Sequence, residues 1–248
     1  MSNTADLSTD RFEWVSRGEV PGRVPKEIIE RFKRIGDLSS TVSDVLDQMG
    51  LVGAVGASEL MPTLPNQRIV GTAVTVRNAG QTVSPLVNAT KREWRMAEIL
   101  AVSSAEPGDV LLIEGVRHVS NMGGLLATIA HRQGIAGAVV DGAVRDVSHS
   151  RRLGFPVWSS DISPVTGKWR CITQEINRPI TLAGLTVMPG DLVIADETGV
   201  CFVRRADAEY VVARCEEIAS LEADVVKRIE GGLSIDQFLE DIYGKEMI

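Results

Sequence analysis

Apolar positions along this chain switch repeatedly between helical and strand spacing. Ile28, Ile29, Phe32 and Ile35 recur at helical intervals after Pro25, and Gly36 stops them. A second helix follows, with Ser39, Ser40 or Thr41 as its cap, Val42, Val45, Leu46 and Met49 on its apolar face, and Gly50 at its end. Residues 68–77 are rich in β-branched side chains and predict a strand. A polar stretch over 78–88 leads to a helix over 91–102. That helix carries Trp94, Met96, Ile99 and Leu100 inward and a solvated face of Lys91, Arg92 and Arg95. Short unbroken apolar runs at 110–113, 136–140 and 192–195 predict strands buried on both faces. Two of them follow the same tripeptide, Pro107-Gly108-Asp109 and Pro189-Gly190-Asp191, whose aspartates read as turn residues. Leu125, Leu126, Ile129 and Ala130 recur at helical spacing, and Gly134 stands where a helix ends. Strands are expected over 156–160 and 200–203, with 170–176 and 180–187 forming a pair. A long amphipathic helix over 206–229 follows, then Gly231-Gly232 and a short helix capped by Ser234. Residues 1–23 are polar and irregular. Phe12 and Trp14 there either pack on a neighbouring subunit or belong to a loose extension.

This element order predicts a mixed α/β layered domain. Its expected parts are an N-terminal extension and helix over 1–36, a main domain over 37–230, and a short terminal helix over 231–248. A net charge of −7 and a pI near 5.1 argue against nonspecific nucleic-acid binding, which needs a basic surface, and leave a basic protein segment open as a partner. Cys171, Cys201 and Cys215 stand alone, which suggests reduced, buried thiols and no zinc site. Asp6 and Asp10 interrupt what a signal peptide would need, and no apolar run approaches the roughly 18 residues of a membrane span. A cytoplasmic protein without a membrane partner is the expectation.

The chemistry gathers in residues 121–147. Gly123 and Gly124 open a helix, so their amides are unpaired and suit a carboxylate or phosphate. The strand over 136–140 ends at Asp141-Gly142, read as a turn, which delivers Arg145 and Asp146 to a strand end, where ligands of layered α/β domains bind. Arg145 is a permanent cation and Asp146 a hard oxygen ligand. Sequence neighbours seldom point the same way, so the two are expected to serve a substrate and a metal rather than each other. The alternative is capping glycines and surface ion pairs. Glu114, at a strand end, is either a supporting acid or solvated. His118 either touches substrate or faces solvent, and His131 reads as a surface residue. His149, three residues after Asp146 on a short helix over 146–153, could ligate a metal, move a proton, or lie at the surface beside Arg151 and Arg152.

The run Gly-Gly-Leu-Leu-Ala at 123–127, Val-Asp-Gly-Ala-Val-Arg-Asp-Val at 140–147 and Gly-Phe-Pro-Val at 154–157 resembles the RraA-like family. The likeness extends over roughly residues 38–219 and takes in Thr-Val-Ser-Asp-Val-Leu-Asp at 41–47, Gly-Thr-Ala-Val-Thr-Val at 71–76 and both Pro-Gly-Asp units. The family includes the regulator of ribonuclease activity A and the 4-hydroxy-4-methyl-2-oxoglutarate and 4-carboxy-4-hydroxy-2-oxoadipate aldolases. The resemblance implies a layered β/β/α swivelling-type α/β domain that forms homotrimers or homohexamers. It implies that Gly123, Gly124, Leu125 and Leu126 hold the carboxylate of a small 2-oxo acid. Arg145 would be the catalytic residue, binding that acid and stabilising its enolate, and Asp146 would anchor a divalent metal cation, Mg2+ or Mn2+. The implied activity is that of a metal-dependent lyase: an aldolase releasing pyruvate, with oxaloacetate decarboxylation from the same site. The alternative is a non-catalytic regulator that inhibits a ribonuclease. The aldolases carry Asp at the position of Gly124, and the regulator type carries an acid at that of His149. That leaves proton transfer to a metal-bound water assisted by His149, His118 or Glu114.

Overall fold

One long strand belongs to two neighbouring sheets and joins them. The computed structural model describes residues 12–19 and 22–244. Its strands are β1 (Ser16–Arg17), β2 (Ala54–Gly56), β3 (Met61–Pro62), β4 (Ile69–Gly80), β5 (Val110–Glu114), β6 (Ser120–Met122), β7 (Gly137–Val144), β8 (Val157–Ile162), β9 (Cys171–Ile176), β10 (Ile180–Leu182), β11 (Leu185–Val187), β12 (Leu192–Ala195) and β13 (Gly199–Val203). Its helices are α1 (Lys26–Phe32), α2 (Leu38–Gln48), α3 (Pro85–Lys91), α4 (Ile99–Ser104), α5 (Gly124–Gln133), α6 (Val147–Leu153), α7 (Ala208–Glu230) and α8 (Ile235–Gly244). The long strand is β4. Along one edge it pairs antiparallel first with β12 and then with β9, and along the other it pairs parallel with β5. From β5 the parallel sheet continues through β7 to β8. Helices α4, α5 and α6 lead into β5, β7 and β8, the strand–helix–strand arrangement a parallel sheet requires.

Alternation along these strands separates the layers. Val74, Val76, Leu111, Ile113, Ala138 and Val140 face the helices and pack with Ala101, Val102, Ala127, Ala130 and Phe155. Ala73, Val110, Leu112 and Val139 face the other way, onto Trp158, Leu182, Val193 and Phe202. Beyond them Leu192, Ile194, Cys201 and Val203 turn outward under α1, α2 and α7. The expected β/β/α stack is present, and those three helices close its free β face. Each wholly buried aliphatic side chain contributes roughly 1.5–3 kcal/mol to holding the layers together.

The sequence expectations need correction in several places. The helix expected over 91–102 is not continuous. Arg92 takes a left-handed conformation (φ 55°) that ends α3, and α4 begins only at Ile99. The span between them lies along β9, where Arg95 accepts a hydrogen bond from the Thr173 N–H and Ala97 donates to the Thr173 hydroxyl. Residues 170–176 and 180–187 do not pair: β9 adds to β4 and β1, and 180–187 folds on itself as the β10–β11 hairpin. Asp141-Gly142 is not a turn, because β7 runs on to Val144 with a register shift between Val140 and Ala143. Gly142 permits this, since a Cβ there would meet the Asn121 amide at 2.4 Å. Ser39 lies inside α2 rather than capping it and binds Asp196.

Of the irregular stretch expected over residues 1–23, residues 1–11, 20 and 21 lie outside the described residues. Val15 is buried in the helix-side core and Phe12 packs against it, so this segment seats on its own sheet beside β9. Ser234 and Gln237 bond reciprocally at the start of α8, a capping box. No helix among the described residues is long and apolar enough to cross a membrane.

Candidate active site

The site lies past the carboxyl ends of β6 and β7, where two chain segments are tied together. The Arg145 N–H donates to the Met122 carbonyl at 3.0 Å, which sets the end of β7 against the glycine turn. Asp146 then adopts a left-handed backbone (φ 57°, ψ 35°), a conformation that Asp tolerates better than most residues. This turns its carboxylate back onto the start of α5, where Oδ2 accepts the Gly124 N–H at 2.9 Å. Negative charge there is favoured by the unpaired amides and the helix dipole. The Arg145 Nε stands 3.6 Å from the same Oδ2, and both side chains remain partly exposed. The premise that these sequence neighbours would point apart therefore needs correction: they lean together at one helix start. Gly123 makes this possible, because a Cβ there would stand 2.9 Å from Asp146 Oδ2 and 3.1 Å from Arg145 Nε.

These residues line a cleft of about 440 Å³, within the range of small-molecule sites. Gly123, Gly124, Leu125, Leu126, Arg145 and Asp146 all border it, so the fold brings the whole expected set together. The apolar repeat on α5 is only half buried: Ala127 and Ala130 pack inward, whereas Leu125 is 85% exposed and Ile129 44% exposed at the rim. Lys168 also borders the cleft, with its ammonium 4.8 Å and 4.6 Å from the ring centres of Trp94 and Trp169.

The other expected groups lie elsewhere. Glu114 accepts hydrogen bonds from Arg77 and from the Thr181 N–H. His118 is exposed and sits 3.2 Å from Asp161 in a separate hollow. His131 lies at the surface against Phe155. His149 lies beneath the glycine turn and contacts Thr128. The three cysteines are buried, and burial is the main cause pushing each thiol up to about 12, so none is a thiolate nucleophile at neutral pH.

Glu98 escaped the sequence reading. It borders the cleft yet is only 4% exposed, and burial pushes its carboxyl up to about 7. The available signal was a lone acid in an otherwise apolar run, Met96-Ala97-Glu98-Ile99-Leu100. Among the described residues no three His, Cys, Asp or Glu side chains converge as a metal-ligand group. A cation held by Asp146 would therefore need water and ligand oxygens to complete its shell. Magnesium is often bound this way, retaining several waters beside one or two carboxylates.

The RraA-like family model, described as Aldolase/RraA, matches residues 39–202. A protein of Halalkalibacterium halodurans, provisionally named a 4-hydroxy-4-methyl-2-oxoglutarate aldolase, is 31% identical over 193 residues, covering 77% of this chain and 83% of its own length. An uncharacterized protein of Methanocaldococcus jannaschii is 29% identical over 198 residues, covering 78% of this chain and 87% of its own length. Among solved structures, an uncharacterized protein of Pseudomonas syringae pv. tomato shares the fold with a TM-score of 0.73 at 22% identity, over 87% of this chain and 98% of its own. RraAS2 of Streptomyces coelicolor, described as an unusual member of the RNase ES inhibitor RraA protein family, aligns with a TM-score of 0.70 at 25% identity, over 82% of this chain and 98% of its own. With the family model spanning well over half the residues, the chain belongs to the RraA-like family.

Proposed function

We propose that this protein is a divalent-metal-dependent lyase that cleaves a 4-hydroxy-2-oxo acid to pyruvate and a second carbonyl compound. The observation that carries this reading is the convergence of Arg145, Asp146 and the start of α5 on one cleft. The α5 start, from Gly123 to Leu126, receives the substrate carboxylate. The Gly124 N–H already serves Asp146, so the amides of Leu125 and Leu126 remain for the substrate. Arg145 places its guanidinium beside the 2-oxo group and stabilises the oxygen that becomes negative as the C–C bond breaks. Asp146 is the carboxylate that would hold Mg2+ or Mn2+, which supplies Lewis acidity at the keto oxygen when bound. Holding carboxylate and keto group at two fixed points orients the scissile bond. Oxaloacetate decarboxylation passes through the same pyruvate enolate and suits the same residues.

The exposed rim of Leu125, Ile129, Ile99 and Trp94 supports assembly with further copies of the chain, as a homotrimer or homohexamer. Light scattering tests that directly.

The deciding experiment incubates the purified protein with Mg2+ or Mn2+ and a panel of 2-oxo acids, including oxaloacetate and 4-hydroxy-4-methyl-2-oxoglutarate, and follows pyruvate. Metal-dependent release is expected. A second reading, a regulator that binds a ribonuclease, is favoured by the fold shared with the Streptomyces coelicolor protein and by Gly124. No turnover on any acid, together with tight ribonuclease binding, would establish it instead.

A further inference from the structure

Glu98 stands just ahead of α4, buried on the wall of the cleft that holds Gly123, Arg145 and Asp146. Its only side-chain partner among the described residues is Asn78, whose Nδ2 donates to Oε1 at 2.7 Å. That amide is oriented from behind. The Ala97 N–H donates to Thr173 Oγ1 at 2.8 Å, so the threonine proton goes to Asn78 Oδ1, also at 2.8 Å. The amide NH2 must then face Glu98, with a weaker reach to Asn121 Oδ1 at 3.4 Å. Burial disfavours the charged carboxylate while the fixed donor favours it, so both protonation states are accessible near neutral pH. The side chain does not cap α4. A glutamine would fill the same space and accept the same hydrogen bond, so packing alone does not require an acid here.

We propose that Glu98 is the catalytic proton-transfer group of this cleft, taking the C4 hydroxyl proton of a 4-hydroxy-2-oxo acid and returning it to C3. The assignment rests on the lyase reading above. As the carboxylate removes the proton, the O–H electron pair becomes the new C4 carbonyl π bond. The C3–C4 bond breaks, and its pair forms the C2=C3 bond of the enolate, with charge on the C2 oxygen beside Arg145. The enolate then takes the proton from Glu98 at C3, giving pyruvate and restoring the carboxylate. Nothing else is consumed. The charged and titratable groups around Glu98 are Arg145, Asp146 and Lys168 along the cleft, Cys171 on β9, and Arg170 beside it. Cys171 stays neutral, raised first by burial and then by the Glu98 charge.

The test is Glu98→Gln, with Glu98→Asp as the variant that keeps an ionisable group. In metal-free wild type, infrared difference spectra should show a neutral carboxylic C=O band that disappears as pH rises through about 7, and the band should be absent from Glu98→Gln. Oxalate, a mimic of the enolate, should bind both proteins within about twofold. Glu98→Gln should lose about 100-fold or more in kcat and in deuterium exchange at the pyruvate methyl, the usual scale of general acid–base assistance. Glu98→Asp should recover part of that rate and retain a pH-dependent limb. A wild type silent on every acid would remove the lyase reading and this role with it. An active wild type matched in rate and pH profile by Glu98→Gln would overturn Glu98 alone.

Discussion

The imidazole of His149 packs into the space where Gly124 has no side chain: a Cβ on residue 124 would stand 3.1 Å from both Cγ and Cδ2 of the ring. The ring is held there by Thr128, whose Oγ1 lies 2.9 Å from Nε2 and donates its one proton to the Gly124 carbonyl at 2.8 Å. With that proton spent, Nε2 donates to the hydroxyl. The His149 N–H binds the Asp146 carbonyl at 2.8 Å. Gly124 and His149, far apart in sequence, form one packed unit under the site.

This contact predicts coupling. Gly124→Asp forces the ring to move and brings a second carboxylate toward Asp146, whose Cβ would lie 3.4 Å from the new Cβ. The expected loss is about 1–3 kcal/mol, the scale of overpacking. His149→Ala in the same protein should recover at least half. Urea unfolding of the four proteins of the cycle measures the interaction, and strictly additive losses would argue that the residues are independent.

The residues of the glycine turn and the Arg145–Asp146 pair were legible in the sequence because they are contiguous and chemically distinctive. The layers were legible because strands buried on both faces are unbroken apolar runs, as at 110–113. The paired Pro-Gly-Asp units are turns, as their composition predicts. Gly108 and Gly190 share φ near 95°, and Asp109 and Asp191 each accept the N–H three residues earlier. Glu98 was not legible, because its role depends on where 93–98 lies. Periodicity read that span as helix, whereas a tertiary hydrogen bond to Thr173, some 76 residues away, draws it along β9. The Arg145–Asp146 approach was hidden for a similar reason, since it needs the left-handed backbone at Asp146.

Arg145 and Asp146 should separate by what each variant loses. Arg145→Ala removes the donor at the developing oxyanion and should lower kcat by about 10²–10³-fold, with little change in unfolding temperature because the side chain is partly exposed. Asp146→Asn keeps an oxygen acceptor for the Gly124 N–H but loses the charge. It should weaken Mn2+ binding at least tenfold in a paramagnetic titration, and remove about 0.3–1 kcal/mol of stability at the α5 start. Unchanged Mn2+ affinity in Asp146→Asn would place the cation elsewhere.

Lys168 predicts an effect on binding rather than on chemistry. Its ammonium is held over Trp94 and Trp169 at the cleft edge. On the lyase reading proposed above, it would meet the far carboxylate of a dicarboxylic substrate. Lys168→Met, which keeps the alkyl stem against the rings, should raise KM several-fold for 4-hydroxy-4-methyl-2-oxoglutarate and leave kcat within about twofold. Steady-state kinetics on substrates with and without the second carboxylate check this, and an equal effect on both would exclude the carboxylate contact.

The Glu98 carboxyl should also leave a mark on stability that no activity assay is needed to see. It rises from an ordinary 4.5 to about 7 on folding. Between those values the native state keeps a proton that the unfolded chain has released, so stability falls as pH rises. The stabilising side is therefore acid: the contribution is complete below about 4.5 and lost through about 7. The shift corresponds to a decline on the order of 3 kcal/mol across that window. Glu98→Gln has no such proton to lose. Its stability relative to wild type should rise by that amount from pH 4 to 8 in denaturant titrations. Asp191, also raised by burial, remains in both proteins and cancels in the difference. A difference that stays flat with pH would mean that the fold holds Glu98 no more reluctantly charged than water does, and the balance between burial and the Asn78 amide would be wrong.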